Sequence, residues 1–262
     1  MRPLFRKWVN GTGRLWEAGE MVTHCVVLER ENGDVVLIDS GFGTYDVENP
    51  QHLGASMALL RPDMKREQTA KYQLEALGLD AKRVTDIVLT HLHYDHAGGL
   101  ADFPYARVHV YEAEYAVAER AHTLGLKGGG YKSVHWKGAN MLLHKDMGET
   151  WLGLRGIRLD DALGGLSLYL VPLEGHTAGM CGVAYYWKDS WFLHAGDVYY
   201  HEAELETDGK APLLLRWMQQ LVGYDEALRL QSLAKLKGLL AEQPTLQVFC
   251  AHSPSELRRM QR

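Results

Sequence analysis

The stretch VTDIVL-T-HLHYDH-AGG, from Val84 to Gly99, decides how the rest of the chain is read. Val84–Leu89 is a short apolar run of strand character that ends at Thr90. His91 and His93 follow at once, two apart on extended backbone, so both rings leave the same side of the chain. They can chelate one ion through imidazole nitrogens. Asp95 and His96 lie just beyond, where the chain must turn before Gly98 and Gly99, and can face a second ion. Carboxylate oxygen and imidazole nitrogen suit zinc, and they also accept iron, manganese or cobalt. A single His-x-His pair is often only a half-exposed strand. Four potential donors packed between an apolar strand and a Gly-Gly pair point instead to a metal site.

Three distant segments each put a further candidate ligand at the end of a strand-like run. His176 follows Leu170–Gly175, Asp197 follows Phe192–Gly196, and His252 follows Val248–Ala251. Side chains at strand ends are held by rigid scaffold yet remain open to a substrate. Other elements alternate along the chain. Val22–Glu29 and Val35–Ile38 read as strands around the Asn32-Gly33 turn. Lys65–Leu77 has helical spacing and stops at Gly78. Arg107–Val110 reads as a strand and Tyr111–His122 as a helix. Ile157–Leu159 and Leu166–Leu173 read as strands, and Val183–Trp187 with Ser190–Leu193 as a pair around Lys188-Asp189. Leu213–Val222 and Asp225–Leu240 have helical spacing, and Leu246–Cys250 is a last strand. Strands with helices interspersed and no linker predict one mixed α/β domain over residues 1–262.

Composition narrows the function. The 262 residues are 46% hydrophobic, enough to fill a core, and carry a formal net charge of −5. Nucleic acid is bound through clustered Lys and Arg, so no nucleic-acid partner is expected. Apolar runs break well before the ~20 residues that a membrane span needs, so no membrane partner is expected either. No apolar leader follows Met1, and Cys25, Cys181 and Cys250 form no disulfide or zinc pattern; a cytoplasmic location is expected. His52, His109, His122 and His144 read as structural or surface groups; His24 and His194 stand where they could approach the site, and the favoured reading is that they do not.

The motifs HLHYDH at His91–His96, EGHTAG at Glu174–Gly179, AGD at Ala195–Asp197 and AH at Ala251-His252 occur together in this order, with Asp39 in an early IDSG turn. In this the chain resembles the metallo-β-lactamase superfamily. The resemblance implies an αββα sandwich of two mixed β-sheets flanked by helices, with the metal site at one sheet edge. It implies that His91, His93 and His176 bind one ion, that Asp95, His96 and His252 bind a second, and that Asp197 bridges both. Asp39 would orient a ligand rather than bind. Ser253 stands where the family often has Asp. The string HLHYDHAGG and Tyr200, three residues after Asp197, are similar to the N-acyl-homoserine lactonase branch, where a tyrosine at that offset contacts substrate; Tyr199 and His201 are its neighbouring rivals.

The expected function is a hydrolase with two divalent ions, zinc first. A metal-bridged hydroxide would attack a carboxylic ester, a lactone above all. Asp95 would relay a proton to the leaving group, and the Tyr200 hydroxyl would bond the substrate oxygen. Thioester or phosphodiester hydrolysis on the same site is an alternative. A mono-iron oxidoreductase similar to the persulfide dioxygenases is another. The loop from Thr123 to Glu149 and the segment Leu213–Val222 are candidates to line an apolar substrate pocket. For Leu213–Val222 a plain packing helix is the competing reading, and the same segment could serve a homodimer.

Overall fold

A computed structural model of the chain describes residues 1–54, 56–123, 130–160 and 162–261. These fall into two compact units, Cys25–His144 and Met1–His24 with Lys145–Arg262. Each is built on a five-stranded mixed sheet.

In the unit Cys25–His144 the order is β1 (Val26–Glu29), β2 (Val35–Ile38), β3 (Val84–Val88), β4 (Arg107–Tyr111) and β5 (Asn140–His144). β1 and β2 form the antiparallel hairpin around Gly33, whose φ is 78°. β2, β3, β4 and β5 then run parallel. A parallel strand is covered on both faces, and β2 is buried throughout, which explains its unbroken Val-Val-Leu-Ile. Val35, Leu37, Ile87, Val108 and Val110 share one core cluster with Leu74, Ala118 and Trp136. The turns after β2 and β3 carry Asp39 and Thr90–His96, side by side at the carboxyl end of the sheet, where open α/β sheets present their functional loops.

Three readings of this unit are corrected. The run Val22–Glu29 is not one strand: the Val22 and His24 amides donate to the carbonyls of His252 and Ala251, and only Val26–Glu29 pairs with β2. Lys65–Leu77 is not one helix. A 3₁₀ turn at Arg66–Gln68 ends at Thr69, whose extended backbone (ψ 150°) caps the helix Ala70–Ala76. The stretch 123–149, read as a loop, contains the short helix Ser133–Trp136 and β5. β5 lies at the sheet edge and alternates weakly between exposed and half-buried positions, so its sequence lacks a clear period. Leu124–Gly129, part of the stretch read as a pocket-lining loop, lies outside the described residues.

In the other unit the sheet order is β12-β11-β10-β9-β8, with β8 at Ile157–Arg158, β9 at Leu168–Pro172, β10 at Cys181–Trp187, β11 at Ser190–His194 and β12 at Gln247–Phe249. A small hairpin of β6 (Thr150–Trp151) and β7 (Leu154–Arg155) precedes it. Lys188 and Asp189 both hold positive φ, 45° and 60°, as the tight β10–β11 hairpin requires. β12 joins β11 in parallel. The helix Glu226–Glu242 buries Leu233, Leu236 and Leu239 against Val171, Leu193 and Val248 of this sheet. Among the described residues no helix is long and apolar enough to cross a membrane.

A buried polar chain runs through β3, β4 and β5. Asp86 accepts from Arg30 (3.0 Å), Arg107 (2.8 Å) and His109 Nε2 (2.9 Å), and His109 Nδ1 lies 2.9 Å from His144 Nε2. Burial opposes ionisation of Asp86, but hydrogen bonds from His109, Arg107 and Thr85 outweigh it and hold the carboxyl well below the usual range. Burial, and then the neighbouring His109, lower the His144 pKa to about 4. An unfolded chain takes up that proton near the ordinary histidine value of about 6.5. The His144 contribution to stability is therefore complete above about pH 6.5 and is lost as pH falls toward 4. Urea unfolding of His144→Gln is expected to show a shallower loss of stability across that window than the parent; an unchanged slope would contradict the assignment.

Candidate metal centre

The turn after β3 gathers four of the sequence-expected ligands in the unit Cys25–His144. His91, His93, Asp95 and His96 are all buried. His93 has extended backbone and caps the one-turn helix Tyr94–Ala97, which carries Asp95 and His96. Ring centroids of His91 lie 4.7 Å from His93 and 4.0 Å from His96. Donor atoms of His91 come within 4.8 Å of those of His93 and of His96, and Asp95 within the same distance of His96.

Asp39 organises this turn from the end of β2. Its Oδ1 accepts the Thr90 amide at 2.8 Å, and its Oδ2 accepts the Thr90 hydroxyl at 2.9 Å. Oδ2 also lies 2.8 Å from His96 Nδ1. That contact fixes the His96 ring and directs Nε2 away from Asp39, as expected of a metal-ligating imidazole. Asp39 itself sits at φ 57°, a left-handed conformation that Asp tolerates better than most residues. Glu114 holds the other side: its Oε1 accepts the Leu92 amide and the Tyr131 hydroxyl, both at 2.9 Å. Gly130 gives its carbonyl to the Tyr94 amide, and a Cβ there would stand 2.7 Å from His93 Cγ. Thr90, Glu114 and Gly130 escaped the sequence reading. Thr90 adjoins the motif and could have been found; nothing local marks a helical Glu or a loop Gly as a partner of residues so far away in the chain.

The remaining three expected ligands lie together in the other unit. Asp197 Oδ2 is 3.1 Å from His176 Nε2 and 3.1 Å from His252 Nε2. The Tyr200 hydroxyl donates to the same oxygen at 3.2 Å, and its ring stands edge-on to His252 at 4.8 Å. His252 Nδ1 donates to the Val22 carbonyl at 2.8 Å, which fixes its tautomer. The rivals of Tyr200 point elsewhere. Tyr199 donates to buried Glu256 at 3.0 Å, and His201 Nδ1 accepts the Ala203 amide. Ser253 caps the last helix, Pro254–Met260, and donates to Glu202 at 2.7 Å.

Arg229 locks the two loops of this half together, and sequence gave no sign of it. It is 4% exposed, and its Nη1 donates to the Val198 carbonyl at 2.7 Å and to Glu204 Oε2 at 3.2 Å. Glu204 in turn accepts the Tyr200 amide at 3.0 Å. The helix that carries Arg229 seats the His176 loop, because the Tyr224 and Asp225 amides donate to the carbonyls of His176 and Gly175. Gly175 has φ 134°, and a Cβ there would lie 2.1 Å from the Arg229 amide nitrogen.

The donor chemistry fits divalent ions. Ligand atoms about 2.0–2.2 Å from one ion stand roughly 3.3–3.6 Å apart at tetrahedral angles. The two 3.1 Å contacts of Asp197 lie close to that spacing and beyond the usual charge-assisted hydrogen bond. A second cluster in the unit Cys25–His144 differs. Asp46 Oδ1 is 2.8 Å from His52 Nε2 and 2.7 Å from His135 Nε2, direct hydrogen-bond lengths. This cluster is hydrogen-bonded support. His24 and His194 are also structural, as expected: His194 Nε2 donates to the His24 carbonyl at 2.8 Å. Among the described residues no disulfide joins Cys25, Cys181 or Cys250. Burial, then Asp39 and Asp95, push the Cys25 thiol up, so it does not compete as a thiolate ligand near neutral pH.

Residues 18–242 match the metallo-beta-lactamase superfamily, and the chain belongs to it. Its two mixed sheets with their helices are those of that fold, and it is a metal-dependent hydrolase. A probable metallo-hydrolase of Mycobacterium bovis is 35% identical over 236 residues, which cover 89% of this chain and 75% of that protein. The N-acyl homoserine lactonase AttM of Rhizobium radiobacter is 30% identical over 153 residues, 56% of this chain and 53% of that protein. Among solved structures, an N-acyl homoserine lactone hydrolase with the product N-hexanoyl-L-homoserine at its catalytic metal centre aligns with a TM-score of 0.69. The alignment covers 98% of this chain and 92% of that chain at 21% identity, a likeness of fold.

Two outcomes follow from the supporting residues. Asp39→Asn cannot accept from both Thr90 and His96 with the same two atoms, so metal affinity should fall by roughly 10- to 100-fold in competition with a chelator, with little change in far-UV circular dichroism. Arg229→Met strands the buried Glu204 carboxylate and should lower the unfolding free energy in urea by about 3–5 kcal/mol; a loss below ~1 kcal/mol would show that the pair is not needed.

Proposed function

We propose that this chain is a dinuclear hydrolase that opens a lactone. The observation that carries the reading is the Asp197 carboxylate oxygen, shared by His176, His252 and the Tyr200 hydroxyl. A carboxylate with imidazole on either side is what a ligand common to two ions requires. In this reading His91, His93 and His176 hold one ion, Asp95, His96 and His252 hold the other, and Asp197 is common to both. Zinc is the first choice for this nitrogen and oxygen set, with iron, manganese and cobalt acceptable to the same donors. When bound, the two cations supply a hydroxide nucleophile near neutral pH and an electrophile for the substrate carbonyl.

The protein groups supply the rest. Asp95 accepts a proton and returns it to the leaving alkoxide. The Tyr200 hydroxyl turns from Asp197 to the substrate carbonyl oxygen and donates a hydrogen bond there, stronger as negative charge builds on that oxygen. A lactone is favoured over other esters by the kinship with N-acyl homoserine lactonases, together with a tyrosine held against the shared carboxylate. The proposed location is the cytoplasm, on the cysteine pattern of the sequence.

The test combines metal counting with turnover. Protein purified without added metal should contain about two zinc ions per chain and hydrolyse N-acyl homoserine lactones. His93→Ala should lose both properties. Tyr200→Phe should keep its metal and lose about 10- to 100-fold in kcat/KM, the worth of one oxyanion donor or somewhat less. A single iron with oxygen uptake and no lactone hydrolysis would overturn the proposal in favour of dioxygenase chemistry.

A further inference from the structure

The helix Leu213–Val222 carries one broad apolar arc, with Arg216, Gln219 and Gln220 on its remaining side, and the arc has two edges. One buries Leu215, Met218 and Gln219. The other exposes Leu213, Trp217 and Leu221 by 64%, 51% and 59%. An apolar stripe normally faces a partner, and the edge formed by Leu213, Trp217 and Leu221 lies open. The helix Arg6–Asn10 packs beside it, with Pro212 Cγ 3.6 Å from the Cβ position of Gly11. This short helix and its following loop add Phe5, Trp8 and Trp16, exposed by 42%, 43% and 78%. The loop is folded back on the helix by the Arg6 amide, which donates to the Glu17 carbonyl at 2.9 Å. The unit Met1–His24 with Lys145–Arg262 thus exposes aromatic and leucine side chains on two adjacent helices and the loop beside them, the kind of exposure that marks an interaction site.

Its charge is the second observation. Residues 1–16 and 209–224, which build the surface, contain Arg2, Arg6, Lys7, Arg14, Lys210 and Arg216 and no Asp or Glu, in a chain of net charge −5. Acidic groups border these segments: Glu17 stands 4.0 Å from Arg6 and offsets one of these charges, and Asp208 and Asp225 flank residues 209–224. Exposed tryptophans within a basic rim match the headgroup region of an anionic bilayer, which accepts amphipathic rings and attracts cations. A second copy of the same surface fits poorly, because pairing would set basic rim against basic rim.

We propose that this surface seats the enzyme on anionic phospholipid membranes, lying on the bilayer without crossing it. The absence of a spanning segment, read from the sequence, bears on crossing and not on surface attachment. The balance of the whole chain hides the patch, because its 33 acidic residues all lie outside residues 1–16 and 209–224.

The experiment is cosedimentation of the purified, metal-loaded enzyme with vesicles of phosphatidylcholine alone or mixed with phosphatidylglycerol. At low salt the enzyme is expected to sediment with the mixed vesicles and not with phosphatidylcholine, with a blue shift of tryptophan fluorescence and release at high salt. The double variant Arg6→Gln/Lys7→Gln, with its metal content unchanged, should bind about tenfold more weakly or worse. Absence of binding to the mixed vesicles would overturn the proposal, as would undiminished binding by the double variant. A dimer that Trp217→Ser dissociates, with no vesicle binding by the parent, would assign the surface to self-association instead.

Discussion

Asp39 holds one carboxylate against three donors, the Thr90 amide, the Thr90 hydroxyl and His96 Nδ1, all within 2.9 Å and all buried. The constraint behind it is general for this molecule. Imidazole rings crowded in the interior are best held as ligands by partners on their second nitrogens and by backbone that cannot relax. Asp39 meets both needs for the turn after β3, and it does so from the neighbouring parallel strand, so the sheet register itself sets the position of His91–His96. The left-handed backbone at Asp39 is the local cost of that arrangement.

The other unit solves the same problem with a cation. Arg229 reaches from the helix Glu226–Glu242 to the Val198 carbonyl and to Glu204, while the start of the same helix binds the carbonyls of Gly175 and His176. Asp197, Tyr200 and His176 are thereby fixed by one element. The Val22 carbonyl does for His252 what Asp39 does for His96. Rigid support of this kind separates a catalytic constellation from a mere cluster. The Asp46, His52 and His135 group has ligand-type residues, but it closes on itself through short hydrogen bonds.

Much of this was legible in sequence, because the ligands sit in short motifs at strand ends. Strands buried on both faces, such as Val35–Ile38 and Val84–Val88, read clearly as apolar runs. The edge strand Asn140–His144 did not, since it has little burial to pattern it. The break at Thr69 was hidden because apolar spacing continues across a cap. Among site residues, the expected ligands lie within two local clusters, each in its own unit. Their supports, Glu114, Gly130 and Arg229, act over long sequence separation and leave no periodic trace. Composition also misled in one respect: net charge averaged away a basic, aromatic surface that only becomes visible when residues 1–16 and 209–224 are brought side by side.

The central claim is that Asp197 is shared by two metal ions, and native mass spectrometry of the metal-loaded protein tests it most directly. The account predicts a dominant two-metal species in the parent. In Asp197→Ala it predicts the loss of that species with both ions weakened together, since the one carboxylate would help to hold both. A parent that carries a single ion at saturation, or a variant that still binds two ions as tightly as the parent, would contradict it.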